Sequence, residues 1–207
     1  MLVFITSLRH PQNSTSYEKI EYLLQRTLQS VSQQTNQDFR IIVVCNRLPK
    51  QYLFPPKVEF ISVDFPAPST IKGTAIDLED VHKDKGSKYF VGLLHAKKYN
   101  PNYIMFFDSD DFISNRIVEY VNSQPEQNGW FIQHGYAYGD GLPLIRELQE
   151  FDKKCGTCHI LNFNLFDLPN SHPPHPSQDW IFQVADSYFV KKNIGGSYFY
   201  KKIFQFY

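Results

Sequence analysis

Tyr103-Ile104-Met105-Phe106-Phe107-Asp108-Ser109-Asp110-Asp111 is the stretch on which the reading of this chain turns. An apolar, aromatic run of this length reads as a buried strand, and it enters a carboxylate cluster with no intervening turn. In an extended backbone, residues two apart point to the same side, so Asp108 and Asp110 can converge on one cation. In open α/β sheets ligands bind beyond the carboxyl ends of the strands, where these carboxylates fall. Hard divalent cations are commonly held by one or two carboxylates together with substrate phosphates and water. Asp111 has a competing use as the cap of a following helix. An EF-hand loop starting at Asp108 fails, because Phe112 stands at a ligand position and Ile113 replaces the required glycine.

Upstream, strand-like and helix-like pieces alternate. Residues 2–6 form a first buried strand, followed by a polar exit through Ser7, Arg9 and His10. Ile20, Leu23, Leu24, Leu28 and Val31 recur at helical spacing, which predicts a helix from Tyr17 to Ser32. Thr15 and Glu18 fit a capping box at its start. Ile41 to Cys45 is a β-branched run of the kind buried in parallel sheets. A third strand is expected at 58–63 and a helix at 88–99. That rhythm predicts an α/β fold with a Rossmann-like, mostly parallel sheet flanked by helices. Beyond Asp111 we expect a short helix near Ile117, a strand at 130–133, a turn at Gly139-Asp140-Gly141 and a strand at 160–166. The proline-rich 168–177 stretch reads as a loop, and Trp180 to Tyr188 as a helix stopped by Asn193 and Gly195-Gly196.

The 207 residues suit one domain. Basic and acidic residues balance at 21 each, so no global field draws the chain onto nucleic acid or an anionic membrane. Aromatic residues reach 16%; they supply core mass first and also line sugar- and base-binding clefts. No apolar run has the length of a transmembrane span. Three cysteines and no export leader lead us to expect a reducing, cytoplasmic setting, with peripheral membrane contact still compatible.

Several segments together resemble glycosyltransferase family 2 and its GT-A relatives. Thr27 to Thr35 followed by Asp38 to Val44 is similar to that family's first helix and second strand. Asp84-Lys85-Gly86-Ser87-Lys88 resembles the segment leading into the helix before the metal motif, and Tyr103 to Asp111 resembles the metal strand itself. The likeness covers residues 1–115, the expected nucleotide-sugar and metal half of one GT-A domain. Residues 116–207 form the expected acceptor half, short at its C-terminal end.

What the resemblance implies is a metal-dependent, inverting transfer of a sugar from a UDP- or GDP-linked donor to a saccharide or lipid-linked acceptor. Asp110 would be the main ligand of a Mn2+ or Mg2+ ion, with Asp108 sharing the metal or contacting ribose. Thr6 and Arg9 would border the base or phosphates, and Lys85 and Lys88 would lie near the nucleotide. Relatives carry an acidic pair after the second strand, whereas Cys45-Asn46 stands here, leaving Asn46 as the base contact. Asp179 is the preferred base for the acceptor hydroxyl, ahead of Asp140 and Asp152. His172 or His175 could complete the metal shell, as a late histidine does in some GT-A enzymes, against the preferred reading of each as a surface-loop histidine. A non-catalytic nucleotide-sugar-binding relative is the alternative. A sugar-phosphate nucleotidyltransferase ranks lower, because Ser7-Leu8-Arg9-His10-Pro11 is not a glycine-rich basic loop.

Cys155-Gly156-Thr157-Cys158-His159 formally matches the haem-attachment pattern and also allows a redox pair or half a zinc site with a distant ligand such as His134. A glycine-threonine turn with incidental thiols is the preferred reading, with Gly156 and Thr157 available to line a substrate pocket.

Overall fold

The computed structural model describes residues 1–50, 54–139 and 144–188. Asp140 and Gly141 of the expected turn, and the expected stop at Asn193 and Gly195-Gly196, lie outside the described residues. In chain order the elements are β1 (Leu2–Ser7), α1 (Tyr17–Ser32), β2 (Phe39–Cys45), β3 (Val58–Ser62), α2 (Leu78–Ala96), β4 (Tyr103–Phe106), α3 (Ile117–Ser123), β5 (Gly129–Phe131), β6 (Gly135–Tyr138), β7 (Ile145–Leu148), α4 (Phe151–Lys154), β8 (His159–Asn162) and α5 (Gln178–Tyr188). Six strands form one sheet in the order β3-β2-β1-β4-β8-β5. The first four are parallel, and β8 and β5 add antiparallel pairings at one side. The fold is therefore α/β with a mixed, mostly parallel sheet flanked by helices.

Central β1 shows how the sequence makes two layers. Leu2, Val3, Phe4 and Ile5 are all fully buried, because both faces of the strand are covered. Leu2 and Phe4 pack in a cluster with Leu24 and Leu28 of α1 and Val118 of α3. Val3 and Ile5 pack in the opposite cluster with Phe90 and Leu94 of α2 and Ile181 of α5. Phe4 meets Phe39 and Phe107 edge-on at 5.9 and 6.2 Å between ring centroids, a favoured aromatic geometry. Gly92 lets α2 lie against β1, since a Cβ there would stand 2.5 Å from Ile5 Cγ2.

The span of α1 is the one its periodicity predicts, but its cap is shifted by one residue. Ser16, in an extended conformation, accepts the Lys19 N–H at 3.3 Å in place of the expected Thr15. Ser16→Ala is expected to cost about 1 kcal/mol, read as a lower melting temperature by circular dichroism. The helix expected at 88–99 starts ten residues earlier, at Leu78, where Asp77 accepts the Glu79 N–H at 2.9 Å. Its first turns are charged and partly solvated, including a Lys83–Glu79 pair at 2.7 Å, so apolar periodicity emerges only further along. The strand expected at 160–166 stops at Asn162, whose side chain accepts the Asn164 N–H at 3.0 Å and starts a short 3-10 turn. The β6–β7 hairpin and α4 carry no strong periodic signal and are found only in the structure. Among the described residues no helix is long and apolar enough to cross a membrane.

Candidate functional site

The site grows from the side-by-side ends of β1 and β4. Ile5 pairs with Phe106 in parallel register, and the Phe107 N–H continues the ladder to Ile5 O at 3.1 Å. The chain reaches β2 and β3 on one side of β1 and β4 on the other, so the strand order reverses at this point. Such a switch point opens a crevice beyond the carboxyl ends of the strands. Ser7, Leu8 and Arg9 leave β1 there, and Asp108, Ser109 and Asp110 follow β4. With Asp84 and Lys85 of α2, and Asn13, Ile20, Pro68 and Ile76 around them, they line a cavity of about 310 Å3.

The carboxylates are held in different ways. The Asp108 N–H donates to Thr157 Oγ1 at 2.8 Å, while the Thr157 hydroxyl donates to Asp111 Oδ2. The Cys155 thiol also reaches Asp111 Oδ2, at 3.2 Å. The Asp111 N–H closes a turn on Asp108 O at 3.2 Å. The Lys85 ammonium forms an ion pair with Asp108 Oδ1. Gly156 lies over that pair, and a Cβ there would stand 3.3 Å from Asp108 Oδ2 and 3.7 Å from Lys85 Nζ. Asp110 is exposed at the rim. Desolvation by the surrounding chain, with the Asp111 and Asp108 charges beside it, holds its carboxyl above the usual carboxylate range.

Behind the cavity, Lys88 is fully buried. Its ammonium donates to Asp84 Oδ2 at 2.6 Å and to Leu8 O at 2.8 Å. Burial lowers the Lys88 pKa despite the opposing Asp84 charge. Burial and the Lys88 charge likewise lower that of His10. Burial pulls the Lys85 ammonium down, but the Tyr89 and Asp108 oxygens outweigh it and leave the pKa raised.

Of the residues singled out from sequence, Arg9, Lys85, Asp108 and Asp110 meet in this cavity. Thr6 is buried in β1, and its hydroxyl has no hydrogen-bond partner among the described residues. Lys88 supports the cavity wall from inside the fold. Asn46 faces a different cavity of about 790 Å3, where His172 and His175 also lie, with His95 of α2. Its amide nitrogen is spent on Val63 O and Phe65 O, at 3.3 and 2.9 Å. Asp179 is exposed in the first turn of α5 and does not line the Asp108 cavity. Asp152 sits in α4, and its carbonyl lies 3.8 Å from Cys158 Sγ. Asp84 opens the segment quoted for the resemblance but is given no role there; its signal is the i,i+4 spacing to Lys88.

The CxxCH segment serves as the loop that braces Asp108 and Asp111. Among the described residues neither Cys155 nor Cys158 forms a disulfide, and Cys158 Sγ donates to Cys155 O at 2.9 Å. His134, the distant zinc candidate, instead lies 3.7 Å from Glu147 on the exposed hairpin. Burial, reinforced by the Asp111 charge, pushes the Cys155 thiol up to about 12, and burial pushes Cys45 to about 11. Both thiols are held protonated in the fold. Their contribution to stability is complete below the ordinary value of 9.0 and is lost as pH rises through about 11 and 12. Urea unfolding midpoints are expected to fall between pH 9 and 12, and iodoacetamide should label neither thiol appreciably in the folded protein at pH 8.

Among the described residues no three His, Cys, Asp or Glu side chains gather in a way that could hold a metal ion by themselves. Two features nonetheless suit a hard cation whose remaining ligands come from a substrate. The donors are carboxylate oxygens, and Gly156 keeps the space above Asp108 free of a side chain.

No protein-family profile matches the chain, and no curated protein matches it in sequence. Among solved structures, an active-site mutant of LgtC matches with a TM-score of 0.38 and 12% identity, covering 79% of this chain and 57% of that one. The galactosyltransferase LgtC in complex with donor and acceptor sugar analogues matches with a TM-score of 0.37 and 10% identity, covering 90% and 66% respectively. The chain spans less than two thirds of the length of either.

Proposed function

We propose that this chain is a GT-A glycosyltransferase, with its nucleotide-diphosphate donor bound in the Asp108–Lys85 cavity. The observation that carries this reading is the convergence, at the switch point of a mostly parallel sheet, of Asp108 and Asp110 with Arg9 and Lys85. Acids and bases so mixed at the mouth of one cavity suit a ligand that carries both phosphates and hydroxyls. Asp108 and Asp110 would hold a Mn2+ or Mg2+ ion together with the diphosphate. Such an ion supplies Lewis-acid neutralisation of the departing diphosphate. Arg9 and Lys85 add fixed positive charge on the same side, and the Thr157 hydroxyl holds the motif backbone in place. In the transfer, the bond from the sugar's anomeric carbon to the diphosphate oxygen breaks and one to an acceptor hydroxyl oxygen forms. The hydroxyl proton passes to a base on the acceptor side.

Calorimetric titration of UDP and GDP, with and without manganese, tests the reading in wild type and Asp110→Ala. Manganese-dependent binding by wild type, lost by at least about tenfold in the variant as expected for removing a ligand from a two-carboxylate site, is the expected result. Folded wild-type protein that binds neither nucleotide would sink the donor-site assignment.

A further inference from the structure

Among the described residues, Arg9 and Lys85 line this cavity and Lys88 lies behind its wall, and what holds each of these cations differs. Lys88 is fully buried and committed to Asp84 and Leu8 O. Arg9 reaches across to Gly73 O at 3.4 Å. Lys85 has a side chain 33% exposed, lines the cavity, and places its ammonium on the Asp108 carboxylate. Asp111 is meanwhile occupied by Thr157 and Cys155. A cation arriving at Asp108 therefore meets an ammonium already there. Two cations on one carboxylate repel each other strongly in a partly buried site. A diphosphate entering the cavity offers Lys85 a second set of anionic oxygens and a charge-assisted bond of comparable strength.

We infer that Lys85 is an internal counter-cation, which competes with a divalent ion for Asp108 and transfers to the diphosphate when the donor binds. Nucleotide and metal then bind as a coupled pair. The inference rests on the donor-site reading above and adds an order to it. Without nucleotide, Lys85 holds Asp108 and metal binding is weak. With nucleotide, Lys85 leaves for the phosphates and Asp108 is released to the metal. Linkage makes the effect reciprocal: the factor by which nucleotide tightens metal is the factor by which metal tightens nucleotide. Lys85 is a positioning residue in this scheme, and its signature is an opposite sign on the two affinities.

The test measures manganese binding to the full chain from the loss of the free-ion electron paramagnetic resonance signal. It is run alone and with saturating UDP or GDP, in wild type, Lys85→Met and Lys85→Arg. Calorimetry gives the nucleotide affinities in EDTA. Lys85→Met is expected to bind manganese alone about tenfold more tightly than wild type, within the usual range of coupling between sites. It should bind nucleotide more weakly in EDTA and show a smaller nucleotide–manganese coupling than wild type, the remainder coming from phosphate oxygens on the metal itself. Lys85→Arg, which keeps the charge, should retain the wild-type pattern. Melting curves check that each variant is folded, and Lys85→Gln carries the same test if Lys85→Met is not. Manganese binding by folded Lys85→Met that is unchanged or weaker overturns the competition. Coupling in it as large as in wild type overturns the transfer. Wild type that binds neither nucleotide under any condition overturns the donor-site reading itself, a result separate from the other two.

Discussion

Lys88→Ala is expected to destabilise the protein by about 3–5 kcal/mol, the range for removing one partner of a buried ion pair. Lys88 is fully buried and Asp84 only 5% exposed, so the substitution strands a carboxylate away from water. Among the described residues Asp84 Oδ1 already lacks a hydrogen-bond partner; losing Lys88 would leave its other oxygen unpaired too. The Leu8 carbonyl also loses its donor, which loosens the loop that carries Arg9 from β1 into the cavity. Urea unfolding measures the loss as a lower midpoint. The double variant Lys88→Met with Asp84→Asn removes both charges and should recover part of the stability. Equal instability of Lys88→Met and the double variant would show that the stranded Asp84 charge contributes little.

Thr157→Val is the second large expectation, because one hydroxyl serves two site residues. It accepts the Asp108 N–H and donates to Asp111 Oδ2, inside a residue only 4% exposed. Valine has nearly the same shape, so packing is kept while the amide is orphaned and Asp111 loses a donor. Leaving buried polar groups unsatisfied costs about 1–3 kcal/mol each, more where a charge is involved. The same change frees the Asp108–Asp111 turn to shift. Nucleotide affinity should therefore fall together with the unfolding midpoint, and Thr157→Ser should restore both. Normal stability and binding in Thr157→Val would show that the turn is held by its own backbone bond and by Cys155.

Element type was legible wherever an element buries an apolar face. Strand β1, helix α1 and strand β4 could be placed from runs and spacings, since burial on one or both faces imposes those patterns. The start of α2 was not, because Leu78 and the charged turns after it are largely solvated, and solvated helix leaves no periodic trace. Two residues of the candidate site, Asp108 and Asp110, were legible because they follow a buried strand in an extended stretch. Arg9 and Lys85 came from resemblance by position, and the fold brings them to the same cavity. Asn46, His172 and His175 were read toward the nucleotide or metal, yet they line another cavity.

The sequence by itself determined the α/β class, the parallel core and the acidic end of β4, because these depend on local pattern and on burial. Tertiary structure alone decided which side chains face one another. Gly156 and Thr157 lie nearly fifty residues from Asp108 in sequence, and only the antiparallel return of β8 beside β4 brings that loop over the motif. The Lys85–Asp108 pair likewise joins a helix and a strand end that share no local signal. Contacts between separated segments are fixed by how the layers pack, and a one-dimensional pattern of apolar residues carries the packing faces but not the polar partners that meet between them.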